Sequence, residues 1–215
     1  MIELDRKETL RYLGFRNGKE PDAVLQEKIE KCGQELQNAV RPKSIVRRFA
    51  LERPDEKTLR FAGLTVVSRN LSKNLANCSS VYLFGATLGV GPDRLIARAQ
   101  IRKMSDALIY QAASAAMIET WCDIVNEKIR KEAADERLFT RPRYSPGYGD
   151  CPLELQRDLI RVLDAPKQIG LTLTDSLLMM PSKSVTAIVG VSDVPVICHP
   201  QGCEACAKTD CEYRR

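Results

Sequence analysis

Met104-Ser105-Asp106-Ala107-Leu108-Ile109-Tyr110-Gln111-Ala112-Ala113-Ser114-Ala115-Ala116-Met117-Ile118-Glu119-Thr120-Trp121-Cys122-Asp123-Ile124-Val125-Asn126-Glu127-Lys128-Ile129 lies near the middle of a 215-residue chain and settles its fold class. Met104, Leu108, Ala112, Ala115, Ile118, Cys122, Val125 and Ile129 recur at steps of three and four. That period predicts a helical segment over roughly 93–133, as one long helix or two in line. Ala112, Ala113, Ala115 and Ala116 let a neighbouring element pack closely. Glu119 falls on or beside the apolar stripe, where an unpaired carboxylate is costly, so it needs a partner or faces a ligand cleft.

Upstream, Pro21-Asp22 opens a helical pattern carried by Leu25, Ile29, Cys32, Leu36 and Val40. Two strand-like runs, Ser44 to Leu51 and Thr58 to Val67, flank the turn-rich Arg53-Pro54-Asp55-Glu56. A short helix follows at 70–76, then a buried strand from Ser80 to Gly85. Downstream of the long helix, 137–152 is a loop and Pro152 stands near the start of a helix with Leu155, Leu159, Ile160 and Leu163 inward. Strands are expected at Leu171 to Thr174, Ser176 to Met180 and Ser184 to Val191, with Pro181-Ser182-Lys183 as a hairpin turn. Helices and strands do not alternate strictly. The expected class is α+β with a largely antiparallel sheet and flanking helices, one of them long. Residues 1–92 form its N-terminal helical and strand part, 93–192 the core with a ligand loop, and 193–215 a cysteine-rich tail.

Apolar residues at 44% and charged residues at 28% place the chain among ordinary globular proteins and exclude a disordered one. No apolar run approaches a membrane span, and the charged N-terminus has no signal-peptide core, so a cytoplasmic location is expected. The net charge of +5 is mild, and the densest basic stretch, Arg41 to Arg48, reads as a solvated strand edge rather than a nucleic-acid groove. His199 is the single histidine, which disfavours Ser-His-Asp chemistry. Gly85 to Gly91 follows a strand and precedes a helix, but its glycine spacing matches no phosphate-binding fingerprint. It reads first as a tight turn, second as a loop lining a cleft.

The loop Arg141-Pro142-Arg143-Tyr144-Ser145-Pro146-Gly147-Tyr148-Gly149-Asp150-Cys151-Pro152 has the composition of a binding segment. Prolines stiffen it and glycines allow close backbone approach. Arg143 offers a planar fork of donors, and Tyr144 and Tyr148 offer flat faces with hydroxyls. By themselves these residues leave open that Glu119 and Arg143 simply pair with each other, and that Tyr148 is a core anchor.

Arg143-x-x-Pro146-Gly147-Tyr148-x-x-Cys151-Pro152 resembles the R-x-x-P-G-Y-P-x-C-P segment of the S-adenosylmethionine-binding activation domain of cobalamin-dependent methionine synthase. Ile169-Gly170-Leu171-Thr172-Leu173-Thr174-Asp175-Ser176 is similar to that family's G-x-x-L-T-E-S segment. Met179 or Met180 with Pro181-x-x-Ser184-Val185 is similar to its M-x-P-x-x-S-V segment. The resemblance runs from about Asp106 to Val191, and Gly149 stands where the family has proline. It implies a twisted antiparallel sheet and a role in reactivation: cobalt oxidised to Co(II) is reduced by an electron donor such as flavodoxin or ferredoxin, then methylated from S-adenosylmethionine. It also implies that Arg143 contacts the ligand, its charge suiting the carboxylate end. Backbone groups of Tyr144, Ser145 and Gly147 would hold the adenosine, Glu119 would pair with the ammonium, and Tyr148 is the family's loop tyrosine. The cobalamin would sit on a corrinoid or methionine synthase partner, since the chain lacks modules for making methionine alone.

Eight cysteines are present. Cys32, Cys78, Cys122 and Cys151 are scattered, as small buried hydrophobes usually are. Cys198, Cys203, Cys206 and Cys211 crowd the C-terminus, with a CxxC step suited to zinc or one edge of an iron–sulfur cluster. A metal-free thiol tail is the alternative. Three readings follow: an S-adenosylmethionine-binding reactivation protein, a non-enzymatic docking module for a corrinoid protein, and an iron–sulfur electron carrier.

Overall fold

The computed structural model describes residues 2–15 and 20–195, so the cysteines expected to bind metal, Cys198, Cys203, Cys206 and Cys211, lie outside the described residues. The elements run α1 (Arg6–Tyr12), α2 (Ala23–Ala39), β1 (Lys43–Ala50), β2 (Thr58–Phe61), β3 (Leu64–Val67), α3 (Arg69–Asn74), β4 (Ser80–Thr87), α4 (Gly91–Arg102), α5 (Met104–Asp135), β5 (Phe139–Thr140), α6 (Leu155–Leu163), α7 (Ala165–Ile169), β6 (Thr172–Leu173), β7 (Met179–Met180) and β8 (Ser184–Ser192). The main sheet has strand order β1-β4-β8-β5, and every neighbouring pair is antiparallel. This is the α+β architecture that the interposed long helix predicts.

Side chains of the central strand alternate between two cores, as a pleated strand requires. Tyr82, Phe84 and Ala86 face the layer of α5, where Met117, Cys122, Val125 and Ile129 are buried. Val81 and Leu83 face the opposite layer, with Leu71, Leu155, Leu159 and Leu163. All eight residues of β4 are buried, and each large one contributes roughly 1.5–3 kcal/mol relative to exposure. Tyr82 keeps its hydroxyl satisfied by donating to Glu132 at 2.8 Å. Burial, aided by that carboxylate, pushes its pKa up to about 12.

Four expectations change in detail. The segment 93–133 is two helices packed side by side rather than in line, because Lys103 adopts an extended conformation (φ −159°, ψ 93°) that breaks the helix. The run Thr58 to Val67 is a hairpin, since Ala62 and Gly63 both take positive φ (53° and 74°), the geometry of a tight strand-reversing turn. Pro181-Ser182-Lys183 is no hairpin turn: β7 pairs with β6, and β8 pairs with β4 and β5. The strand expected to end at Gly85 continues to Thr87, so only 88–90 remains for the turn into α4. Within the basic stretch, Arg48 grips Glu136 at 2.6 Å and Arg47 donates to the Val162 carbonyl at 3.0 Å, contacts that belong to the fold. Among the described residues, no helix is long and apolar enough to cross a membrane.

Candidate functional site

The loop after β5 is laid against β8 before it turns away. Arg141 N–H donates to the Gly190 carbonyl (2.8 Å), and Tyr144 exchanges two backbone hydrogen bonds with Ile188 (2.9 and 2.8 Å). This edge pairing fixes the direction of Arg143, which reaches α5. Its Nη1 donates to Asp123 Oδ1 at 2.7 Å and its Nη2 approaches Glu119 Oε2 at 3.4 Å. Glu119 and Asp123 are one turn apart on α5, so their carboxylates share a face. The guanidinium is one cation between two anions, and the cluster carries a net negative charge.

Burial is graded across this cluster. The side chains of Arg143, Glu119 and Asp123 are 24%, 42% and 72% exposed. The arginine is held while both carboxylates keep oxygen atoms open to solvent. The helical stripe places Cys122 beneath them, where burial pushes the thiol up to about 12 against the opposing influence of Arg143. A thiol that stays protonated at neutral pH is packing rather than a nucleophile.

Tyr144 is half-buried, and its hydroxyl donates to the Tyr148 carbonyl at 3.0 Å. The two rings meet edge to face with centroids 6.4 Å apart. Tyr148 is 67% exposed, so it is not a core anchor. The backbone donors of the loop are mostly committed: Tyr144 N–H to Ile188 and Gly147 N–H to the Cys151 carbonyl (3.0 Å), while Pro146 has none. Within 144–147, Ser145 N–H is the one without a backbone partner among the described residues.

Gly149 has φ +55°, and a Cβ built there would lie 2.9 Å from Asn70 Cγ and 2.9 Å from Tyr144 Oη. Proline, locked near −65°, cannot take this conformation, which accounts for the glycine. The turn delivers Asp150 to the N-terminus of α3. Its carboxylate accepts from Ser68 Oγ, Arg69 N (2.8 Å) and Asn70 N (3.0 Å). The Ser68 hydroxyl, followed by the backbone amides, holds the Asp150 carboxyl below its ordinary pKa.

The structure thus joins Glu119 and Arg143, as the residues alone allowed, and adds Asp123, which sequence reasoning missed. The signal was available: Asp123 lies four residues after Glu119 in a segment already read as helix. Cys32, Cys78, Cys122 and Cys151 are buried. Among the described residues no three His, Cys, Asp or Glu side chains converge as a metal site.

Two comparisons bear on this arrangement. A solved structure described as the MetH reactivation domain bound to AdoHcy matches with a TM-score of 0.65 and 16% identity, over 90% of this chain and 75% of that one. At that identity the likeness speaks for the fold, and it extends the similarity well upstream of the motifs. A family model described as the activation domain of vitamin B12 dependent methionine synthase matches residues 78–194, more than half of the chain. That span holds the central strand, α5 with its two carboxylates, the Arg143 loop and β8, and the chain belongs to this activation-domain family.

Proposed function

We propose that this protein binds S-adenosylmethionine at the Arg143 loop and supports reductive remethylation of a cobalamin carried by a methionine synthase or other corrinoid protein. The observation that carries this reading is the guanidinium of Arg143 held between Glu119 and Asp123 in a chain of the activation-domain family. The structural neighbour is described as bound to AdoHcy, the product of methyl donation from that ligand.

The geometry suits the ligand end by end. An amino-acid moiety brings a carboxylate and an ammonium. Arg143 can release one carboxylate and offer its fork to the ligand's, while the freed Glu119 or Asp123 takes the ammonium. Exposed Tyr148, braced by Tyr144, supplies a face for the purine or for the sulfonium cation. The excess negative charge favours the cationic methyl donor over the neutral thioether that remains after transfer. Reduction requires an outside electron donor of the flavodoxin or ferredoxin type. Cys198, Cys203, Cys206 and Cys211 are proposed to hold zinc or an iron–sulfur cluster, which iron and zinc analysis of anaerobically purified protein decides.

Calorimetric titration of S-adenosylmethionine into the full chain tests the site. Saturable binding that weakens at least tenfold in Arg143→Ala, and several-fold in Asp123→Asn, is expected. No binding to well-folded protein, or binding indifferent to Arg143, sinks the reading and leaves a corrinoid-docking module in its place.

A further inference from the structure

The helices α2 and α4 and the first turns of α5 line an open pocket of about 340 Å³. Five cations line it: Lys28 and Lys31 from α2, Arg98 and Arg102 from α4, and Lys103 at the break before α5. Only Glu35 and Asp106 oppose them, and both are engaged. Asp106 pairs with Lys28 at 2.8 Å, and Lys28 also reaches Ser105 Oγ. Glu35 accepts the hydroxyl of Tyr110. Lys31, Arg98, Arg102 and Lys103 have no ion-pair partner among the described residues.

Arg98 and Arg102 are four apart on one helix, a spacing at which like charges repel, and Lys28 and Lys31 are three apart on another, where Glu27 and Glu35, four residues to either side of Lys31, partly offset the repulsion. An anion in the cavity would attract each of these cations and so offset their mutual repulsion. Elsewhere the surface helices set arginine against acid at the same spacing, as in Arg161 with Asp158 and Arg130 with Glu127.

We propose that this cavity binds a compact polyanion carrying two or more phosphoryl groups. One phosphate bears about −1.5 to −2, so two phosphoryl groups match an excess of three cations over acids. The volume lies at the lower end of small-molecule pockets, roughly 300–1,000 Å³, and is more than a lone orthophosphate needs. The cations line a concavity from two helices and the residue that links α4 to α5, an arrangement for a small ligand rather than for the flat face of an acidic protein. Tyr110, on the wall, precedes Glu119 by nine residues on α5, about 13 Å at 1.5 Å per residue. The site is therefore separate from the Arg143 cluster and does not depend on the function proposed for it.

The probe is inorganic pyrophosphate, titrated calorimetrically into the full chain beside orthophosphate and a polyaspartate peptide. One saturable site is expected, at least tenfold tighter for pyrophosphate than for orthophosphate. It should weaken at least tenfold in the Arg98→Ser, Arg102→Ser double variant and measurably in Lys31→Ser, all exposed positions, and be unchanged in Arg143→Ala. Absence of saturable pyrophosphate binding overturns the proposal. So does equal binding by the double variant and Lys31→Ser once circular dichroism shows them folded, or preference for the acidic peptide, which would make this face a protein-docking surface.

Discussion

Arg141 and Arg143 leave the same edge of the sheet two residues apart and reach opposite environments. Arg141 is 4% exposed. Its Nη2 donates to the Ala76 carbonyl at 2.8 Å, and its Nη1 is buried without a hydrogen-bond partner among the described residues. None of the described carboxylates forms an ion pair with it. Arg143 is about a quarter exposed and has two carboxylates about it. The contrast separates two uses of one side chain. The buried arginine is a packing rod whose stem fills space against Gly190, where even an added Cβ would meet Arg141 Cγ at 3.0 Å. The partly exposed one is held between two carboxylates that themselves reach solvent.

The largest expected effect breaks the buried side of this comparison. Arg141→Ala should lower stability by about 2–4 kcal/mol, through the cavity it leaves and the loss of a bond to a buried carbonyl. Arg141→Met keeps the volume and removes an unpaired buried charge, so it should recover most of that loss. Urea denaturation of both variants reads the difference. An alanine variant as stable as the parent would mean that Arg141 is not a packing element.

Next in size is the turn that separates the loop's outer limb from its root. Gly149→Ala should cost about 1–2 kcal/mol, because φ +55° disfavours any Cβ and the new methyl would press on Asn70 and Tyr144. The same variant should loosen the Tyr144 hydroxyl from the Tyr148 carbonyl and raise the mobility of the exposed ring. Unchanged thermal unfolding would show that the turn relaxes freely, and that Gly149 is not needed to place Tyr148.

Smaller still is the stability effect at the partly exposed arginine. Arg143→Ala should change stability by no more than about 1 kcal/mol, since ion pairs open to solvent are worth little. Its cost should appear in ligand binding instead. A loss as large as that of Arg141→Ala would erase the distinction between the two arginines.

Much of this was readable before any coordinates. Periodicity located α2, α5 and α6, because their apolar stripes each face a core and obey the 3.6-residue repeat. The motif residues of the loop pointed to Arg143, and the place of Glu119 beside the apolar stripe of the long helix marked it as needing a partner. Other features obey no local period. The break at Lys103 comes from one extended residue between two helical patterns, and nothing in composition marks it. The partner of β8 is chosen by tertiary pairing, so a hairpin between β7 and β8 was a fair local inference that the sheet overruled. Asp123 was hidden by its ordinariness: an exposed acid on a charged helix becomes notable only when Arg143 arrives from a different element.

Asp150 offers the smallest and most specific test. Its carboxylate bridges the loop to the start of α3, and its folded-state pKa lies below the ordinary value of 3.8. A carboxyl depressed on folding binds fewer protons in the folded state. Its contribution is fully present above the unfolded pKa and is lost as pH falls through the folded one. Asp150→Asn keeps the shape but forfeits the charge-assisted bonds to the two amides. The melting temperature of the variant should lie below that of the parent by a constant amount above about pH 5. The gap should narrow as the pH drops through the region below 3.8, because the parent then loses by protonation what the variant lacks from the start. A gap that does not change with pH would assign the effect to the geometry of the turn around Gly149, and would detach the poised end of the loop from the electrostatics of α3.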